Sequence, residues 1–167
     1  IMAIIFPEGT QNEPSKILQA QIYHSGNQYA QVAQTNPNSN NMTTSNTTSV
    51  WTASFTPIVS TSKLIGVYTC QEDAQGTNGW TVHTCFIGNT FRGGSIRYPR
   101  NQAEEPYTQT FQFEYDHNTT SAITLDMRYC SSAGIYIILG RTYNYTHNTS
   151  RWYGSNTSLT VYEVSTT

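Results

Sequence analysis

Residues 54–70 read SFTPIVSTSKLIGVYTC, two strand ends joined by a Pro-Ser-Thr corner. From Lys63 onward, Leu64, Ile65, Val67, Tyr68 and Cys70 place apolar groups on both sides of the pleat, because successive side chains of a strand point to opposite faces. A strand with one exposed face shows a polar residue at every second position. Here only Gly66 and Thr69 interrupt, so the strand is expected to be covered on both faces. Pro57 has no amide hydrogen and fits the turn before the strand. Lys63 marks the polar edge where the chain enters the core. The segment reads as structure without chemistry.

The rest of the chain repeats short strands between turn clusters. Ile17–Tyr23 and Gln28–Ala33 read as a hairpin about Gly26-Asn27, residues that tolerate positive φ. Thr35–Ser49 is a polar run whose only hydrophobe is Met42, expected to be mobile unless a partner holds it. Val50–Thr56 puts Trp51, Ala53 and Phe55 on one face. Gln71–Gly79 reads as a turn. Trp80–Gly88 follows, with Trp80, Val82, Thr84 and Phe86 on one face and Thr81, His83, Cys85 and Ile87 on the other. Arg92-Gly93-Gly94 reads as a turn before a short strand at Ser95–Tyr98. The clearest alternations are Tyr107–Tyr115, with Tyr107, Phe111, Phe113 and Tyr115 in phase, and Ile123–Cys130, with Ile123, Leu125, Met127 and Tyr129 in phase. Both are half-buried antiparallel strands. Ile135–Gly140 is apolar on both faces, and Ser158–Val164 ends the chain as a strand. Nine or ten strands without a helical period predict an all-β, single-domain antiparallel sandwich, and eight or more favour a jelly roll. The expected organisation is an irregular arm over residues 1–15, rich in Pro and Gly and able to drape over a neighbouring subunit, and a sandwich over 16–167.

The chain of 167 residues carries 8 basic and 10 acidic groups, a net charge of −2. This leaves no field to attract nucleic acid or an anionic membrane. Only 11% of residues are charged, whereas 13% are aromatic, 12 of them Tyr. This composition describes an uncharged polar surface around aromatic strands. Cys70, Cys85 and Cys130 are too few and too widely spaced for a disulfide framework or a zinc pattern, and are expected to be buried thiols. No run approaches the ~18 apolar residues of a membrane span. IMAIIFP lacks the positive start of a signal peptide, so a soluble protein without an export signal is expected. Asn-x-Ser/Thr triplets at Asn41, Asn46, Asn118, Asn144, Asn148 and Asn156 reflect composition in a chain this rich in Asn, Ser and Thr.

No Gly-x-Ser-x-Gly elbow, phosphate loop or His-Glu-x-x-His helix is present. His24, His117 and His147 fall in turns or loops and His83 in a strand, each read as satisfied or solvated. Asp116-His117 has no second pair at ligand spacing. Glu72-Asp73 and Glu104-Glu105 are adjacent acids beside turns, read as solvated charge and not as a glycosidase pair. An enzyme is not expected, nor a metal or cofactor. The suggestive constellation is Tyr143, Tyr145, His147, Arg151, Trp152 and Tyr153 within a polar loop from Thr142 to Asn156. Aromatic faces stack on sugars, and Tyr, Trp and Arg are also enriched in buried interfaces. The interface reading is preferred for Tyr143, Tyr145, Arg151, Trp152 and Tyr153, with glycan contact second.

The order FPEGTQ, PSKILQ, SFTPIVSTSKLIGVYT, ITLDMRY with IYIILGRT, and a closing SLTVYEV resembles small β-sandwich virion proteins of tailed phages, especially of marine and cyanobacterial hosts. The resemblance covers nearly the whole chain. It departs in the insert near Asn36–Thr48 and in the 143–153 loop. It implies a trimeric jelly roll that decorates capsids or caps fibres, bound to the major capsid protein or other virion proteins at the capsid surface or on a tail appendage. A homotrimeric capsid decoration protein is the leading expectation. A tail-fibre or tail-tip protein recognising a host glycan is the first alternative, and a secreted carbohydrate-binding module the second.

Overall fold

A computed structural model describes residues 16–25, 28–31, 42–75, 80–97, 107–131, 136–139, 142–144, 149–151 and 157–166. In the first sheet β1 (Ile17–Ser25) pairs with β12 (Thr157–Val164), and β2 (Gln28–Gln31) with β9 (Tyr136–Leu139). The long strand β4 (Lys63–Gln75) pairs along one edge with β12 and then β9, and along the other with β7 (Tyr107–Asp116). The second sheet runs β3 (Thr48–Phe55), β8 (Ile123–Ser131), β5 (Thr81–Ile87), β6 (Thr90–Arg97). A two-stranded ribbon, β10 (Thr142–Asn144) with β11 (Thr149–Arg151), lies in the chain between β9 and β12.

Counting β1 with β2 as the first lane and β9 with β12 as the last, each sheet is four lanes wide. Every outer pairing is that of one long antiparallel hairpin: first lane with last, β3 with β8, β4 with β7, β5 with β6. Rolling that hairpin brings β12 against β4 and β8 against β5. The result is a jelly roll, the expected architecture.

The hydrophobic core lies between the sheets, with Phe55, Leu125, Met127 and Tyr129 from one and Leu64, Tyr68, Phe111, Phe113, Leu159 and Val161 from the other. The in-phase residues of the alternations at 111–113 and 123–129 are all buried, as expected. All three cysteines are free, buried thiols.

Four local expectations are corrected. β1 and β2 do not pair as a hairpin: they bond to β12 and β9, and Gly26-Asn27 lies outside the described residues. The strand buried on both faces is β5, at every position from Thr81 to Ile87. In β4, Leu64, Gly66, Tyr68 and Cys70 are buried while Ile65, Val67 and Thr69 are only half-buried on the outer face. That strand extends to Gln75, into the expected turn, whose residues 76–79 lie outside the described residues. Gly93 and Gly94 belong to β6, and the turn is at Gly88-Asn89, where Gly88 has φ 61°. The Gly pair answers close approach instead: a Cβ on Gly93 would lie 2.9 Å from the Gln112 carbonyl, and one on Gly94 would strike that of His83.

The polar run before β3 is also more ordered than expected over residues 42–47, where a 3₁₀ turn spans Thr44–Asn46. Arg128 holds it from the outer face of the second sheet. Its Nε donates to Thr47 Oγ1 at 2.8 Å, Nη2 to the Thr44 and Thr47 carbonyls at 2.8 and 2.7 Å, and Nη1 to Asp126 Oδ2 at 2.6 Å. Residues 35–41 of that run, and the arm over 1–15, lie outside the described residues.

The Phe113 ring lies over Gly66, in the space a Cβ would take. Gly66→Ala should therefore cost about 1–3 kcal/mol through overpacking. Urea unfolding checks this, and Phe113→Leu in the same chain should recover part of the loss, because residues in contact do not act additively.

Candidate functional site

The expected constellation divides between described and undescribed positions. The backbone of Tyr143 pairs with Ser150, and that of Arg151 with Thr142, on the β10–β11 ribbon. The side chains of Tyr143 and Arg151, and the whole of Tyr145, His147, Trp152 and Tyr153, lie outside the described residues. So do Glu104-Glu105 and the side chains of Glu72-Asp73.

The structure gathers polar chemistry elsewhere, at the end of the sandwich where β1 begins and β12 finishes. Glu163, on β12, faces inward and is 0% exposed. An enclosed carboxylate needs donors for its lone pairs, and it finds four, one of them shared between both oxygens. Its oxygens lie 2.9 and 3.0 Å from the Ile58 amide, 2.8 Å from the Val59 amide, 2.5 Å from Ser62 Oγ and 2.6 Å from Gln19 Nε2. Burial opposes its charge. The bonds from Ser62, Gln19, Ile58 and Val59 outweigh burial and hold its pKa down at about 2.

Ser62 Oγ also lies 3.0 Å from His117 Nε2, and His117 Nδ1 lies 2.9 Å from the Thr119 carbonyl. A carbonyl only accepts, so Nδ1 carries a proton. This looks like a nucleophile and its base, but the acid is misplaced. In a hydrolytic triad the carboxylate orients the histidine, whereas Glu163 here takes a hydrogen bond from the serine. The amides that would serve an oxyanion, those of Ile58 and Val59, are already bonded to Glu163. Ser62 and His117 are also enclosed, at 3% and 1% exposure. The cluster is a clamp joining β1, the 56–62 corner, β12 and the loop after β7.

A second buried polar group sits mid-sandwich. The phenols of Tyr68 and Tyr129 meet across the two sheets, His83 packs edge-on to Tyr129 at 4.3 Å, and its Nδ1 is 3.2 Å from Cys70 Sγ. Burial and the Asp126 charge push the Cys85 thiol up to about 12, so it is no thiolate nucleophile. Of the expected loop histidines, His24 instead lies in β1, exposed, and His117 is enclosed in the loop after β7. Asp116 is exposed, so it diverges from His117. Among the described residues no three His, Cys, Asp or Glu groups gather to hold a metal.

The clamp carries a pH dependence of defined sign. The folded pKa of about 2 lies below the ~4.3 of an unfolded Glu, so the stabilisation is complete above the unfolded value and is lost as pH falls from about 5 to 2. The loss should approach about 3 kcal/mol in the wild type. Urea midpoints across that range should fall for the wild type by this extra amount relative to Glu163→Gln. Parallel curves would show that the carboxylate is not the source.

No family model matches the chain, and no curated protein matches it. Among solved structures it is similar to a chain in the structure of infectious bursal disease virus, Gx strain, with a TM-score of 0.41 and 13% identity over 98% of this chain and 45% of that one. The chain thus spans less than half the length of that neighbour.

Proposed function

We propose that this chain is a virion structural protein of a tailed phage, a homotrimer that decorates the capsid and reinforces it by bridging neighbouring capsomers. The observation that carries this reading is where the polar chemistry goes: Ser62 contacts both His117 and Glu163 inside the fold, as do Cys70 with His83 and Tyr68 with Tyr129. Groups that elsewhere perform catalysis here fasten strands, corner and sheets to one another. A block built this way acts through its outer surface, which carries few charges and exposed aliphatic residues, and a lattice of such blocks resists internal pressure through buried contact area. The ordered resemblance of the chain to tailed-phage proteins supplies the virion setting. The β10–β11 ribbon favours the second reading, a tail-tip protein whose Tyr143, Tyr145, Arg151, Trp152 and Tyr153 contact a host glycan, because it is an addition to the lane scheme and added segments on a rigid scaffold often carry binding.

Light scattering coupled to size exclusion tests the proposal. The expected mass is that of three chains, unchanged on dilution; a single-chain mass would sink the trimer. Replacing Trp152 and Tyr153 together by Ala should weaken trimer or capsid attachment. Loss of cell or glycan binding with the trimer intact would select the tail-tip reading.

A further inference from the structure

We infer that the clamp is a latch closed by a proton: His117 carries hydrogen on both ring nitrogens, and the one on Nε2 holds the 56–62 corner to β12 through Ser62. Ser62 Oγ has three polar neighbours, the Val59 carbonyl at 2.6 Å, Glu163 Oε1 at 2.5 Å and His117 Nε2 at 3.0 Å. A hydroxyl supplies one hydrogen. The carbonyl and the ionised carboxylate only accept, so that hydrogen lies on their side, and 2.5 Å is the length of a hydroxyl bonded to a carboxylate. Turned towards Nε2 instead, it would leave two acceptor oxygens against lone pairs of Oγ at 2.5 and 2.6 Å. The contact with His117 therefore takes its hydrogen from Nε2. Nδ1 already donates to the Thr119 carbonyl at 2.9 Å. The ring thus holds two protons and a positive charge.

Charge balance points the same way. The donors to Glu163 are two backbone amides, a hydroxyl and a side-chain amide, none of them charged. An enclosed anion is costly without a cation near it, and an imidazolium one hydroxyl away supplies that cation. The proton does not sit on the carboxylate, because these donors keep Glu163 ionised. The other ionisable groups around His117 are engaged elsewhere. Lys63 of β4 bonds Glu114 and Asp116 at 3.0 and 3.7 Å, and Arg92 of β6 lies over the Tyr115 ring, itself 6.3 Å from the His117 ring. Asp116, next in the chain, is exposed. The sign of the pH response is opposite to that of Glu163. When pH rises and Nε2 gives up its proton, the Nε2 lone pair faces Oγ, and the carboxylate loses its countercharge. The corner should loosen at both extremes, as Glu163 gains a proton in acid and as His117 loses one with rising pH.

Nitrogen-15 NMR of the full chain tests this, with the four histidine rings assigned through bonds to their own backbone. At neutral pH both ring nitrogens of His117 should give the signal of a protonated nitrogen, and a bare Nε2 overturns the inference. Across the pH range in which Nε2 then loses its proton, hydrogen exchange at the Ile58 and Val59 amides, corrected for the intrinsic pH dependence of exchange, should speed up at least ~10-fold, the worth of a hydrogen bond to a charged group. Protection that stays constant while Nε2 titrates, or a proton kept until the chain unfolds, overturns the latch. Ser62→Ala should abolish the coupling, so that ring titration no longer alters exchange at the corner; a coupling that survives it overturns the part given to Ser62. Should Ser62→Ala fail to fold, the two measurements on the unaltered chain decide.

Discussion

Strand β12 closes the roll, and the carboxylate near its end holds that closure to the rest of the chain. β12 bonds to β1 on one edge and β4 on the other, so among the described residues β1 joins the sheet of β4 only through it. Glu163 then reaches inward to the corner through which the chain crosses from one sheet to the other. Enclosing a charge is expensive, and enclosing one without donors is far more so. Four donors from two segments, β1 and the 56–62 corner, offset that cost, and they converge on β12 only if the roll is closed in this register. The bond set therefore favours one arrangement of β1, corner and β12 over slipped alternatives, because a slip of one residue would turn the carboxylate to the outer face.

The mid-sandwich group applies the same logic between the sheets. Tyr68 and Cys70 descend from β4, His83 and Tyr129 from β5 and β8, and their polar atoms meet where a purely aliphatic interior would tolerate sliding. Desolvated phenols raise their own ionisation cost, and burial pushes the Tyr68 hydroxyl well up. It stays a neutral hydrogen-bonding group, fit for structure and not for acid–base work.

Much of the fold was legible because period-two alternation is written locally. Phe111 and Phe113, or Leu125 and Met127, announce a half-buried strand whatever lies beyond them. The failures were signals with two physical causes. Glycine at 93–94 reads as a turn or as a close contact, and only the position of β7 separates the two. Gly26-Asn27 suggests a hairpin, yet β1 and β2 find their partners more than a hundred residues away. The clamp was not legible at all: Ser62 is 55 positions from His117 and 101 from Glu163. Nothing local distinguishes Glu163 from the other acids of the chain, since its role arises from topology.

That topology also divides the labour between the ends of the sandwich. At the closing end, hydrogen bonds fix the corner, the start of β1 and the tail of β12 into a rigid rim. Further along β4, the last lane is interrupted between Leu139, which pairs with Glu72, and Ser158, which pairs with Thr69, and the β10–β11 ribbon lies in that interval of the chain. An addition within a lane can vary without disturbing the roll, because β9 and β12 each retain both neighbours in their own sheet. The roll can thus keep its geometry constant while the ribbon varies.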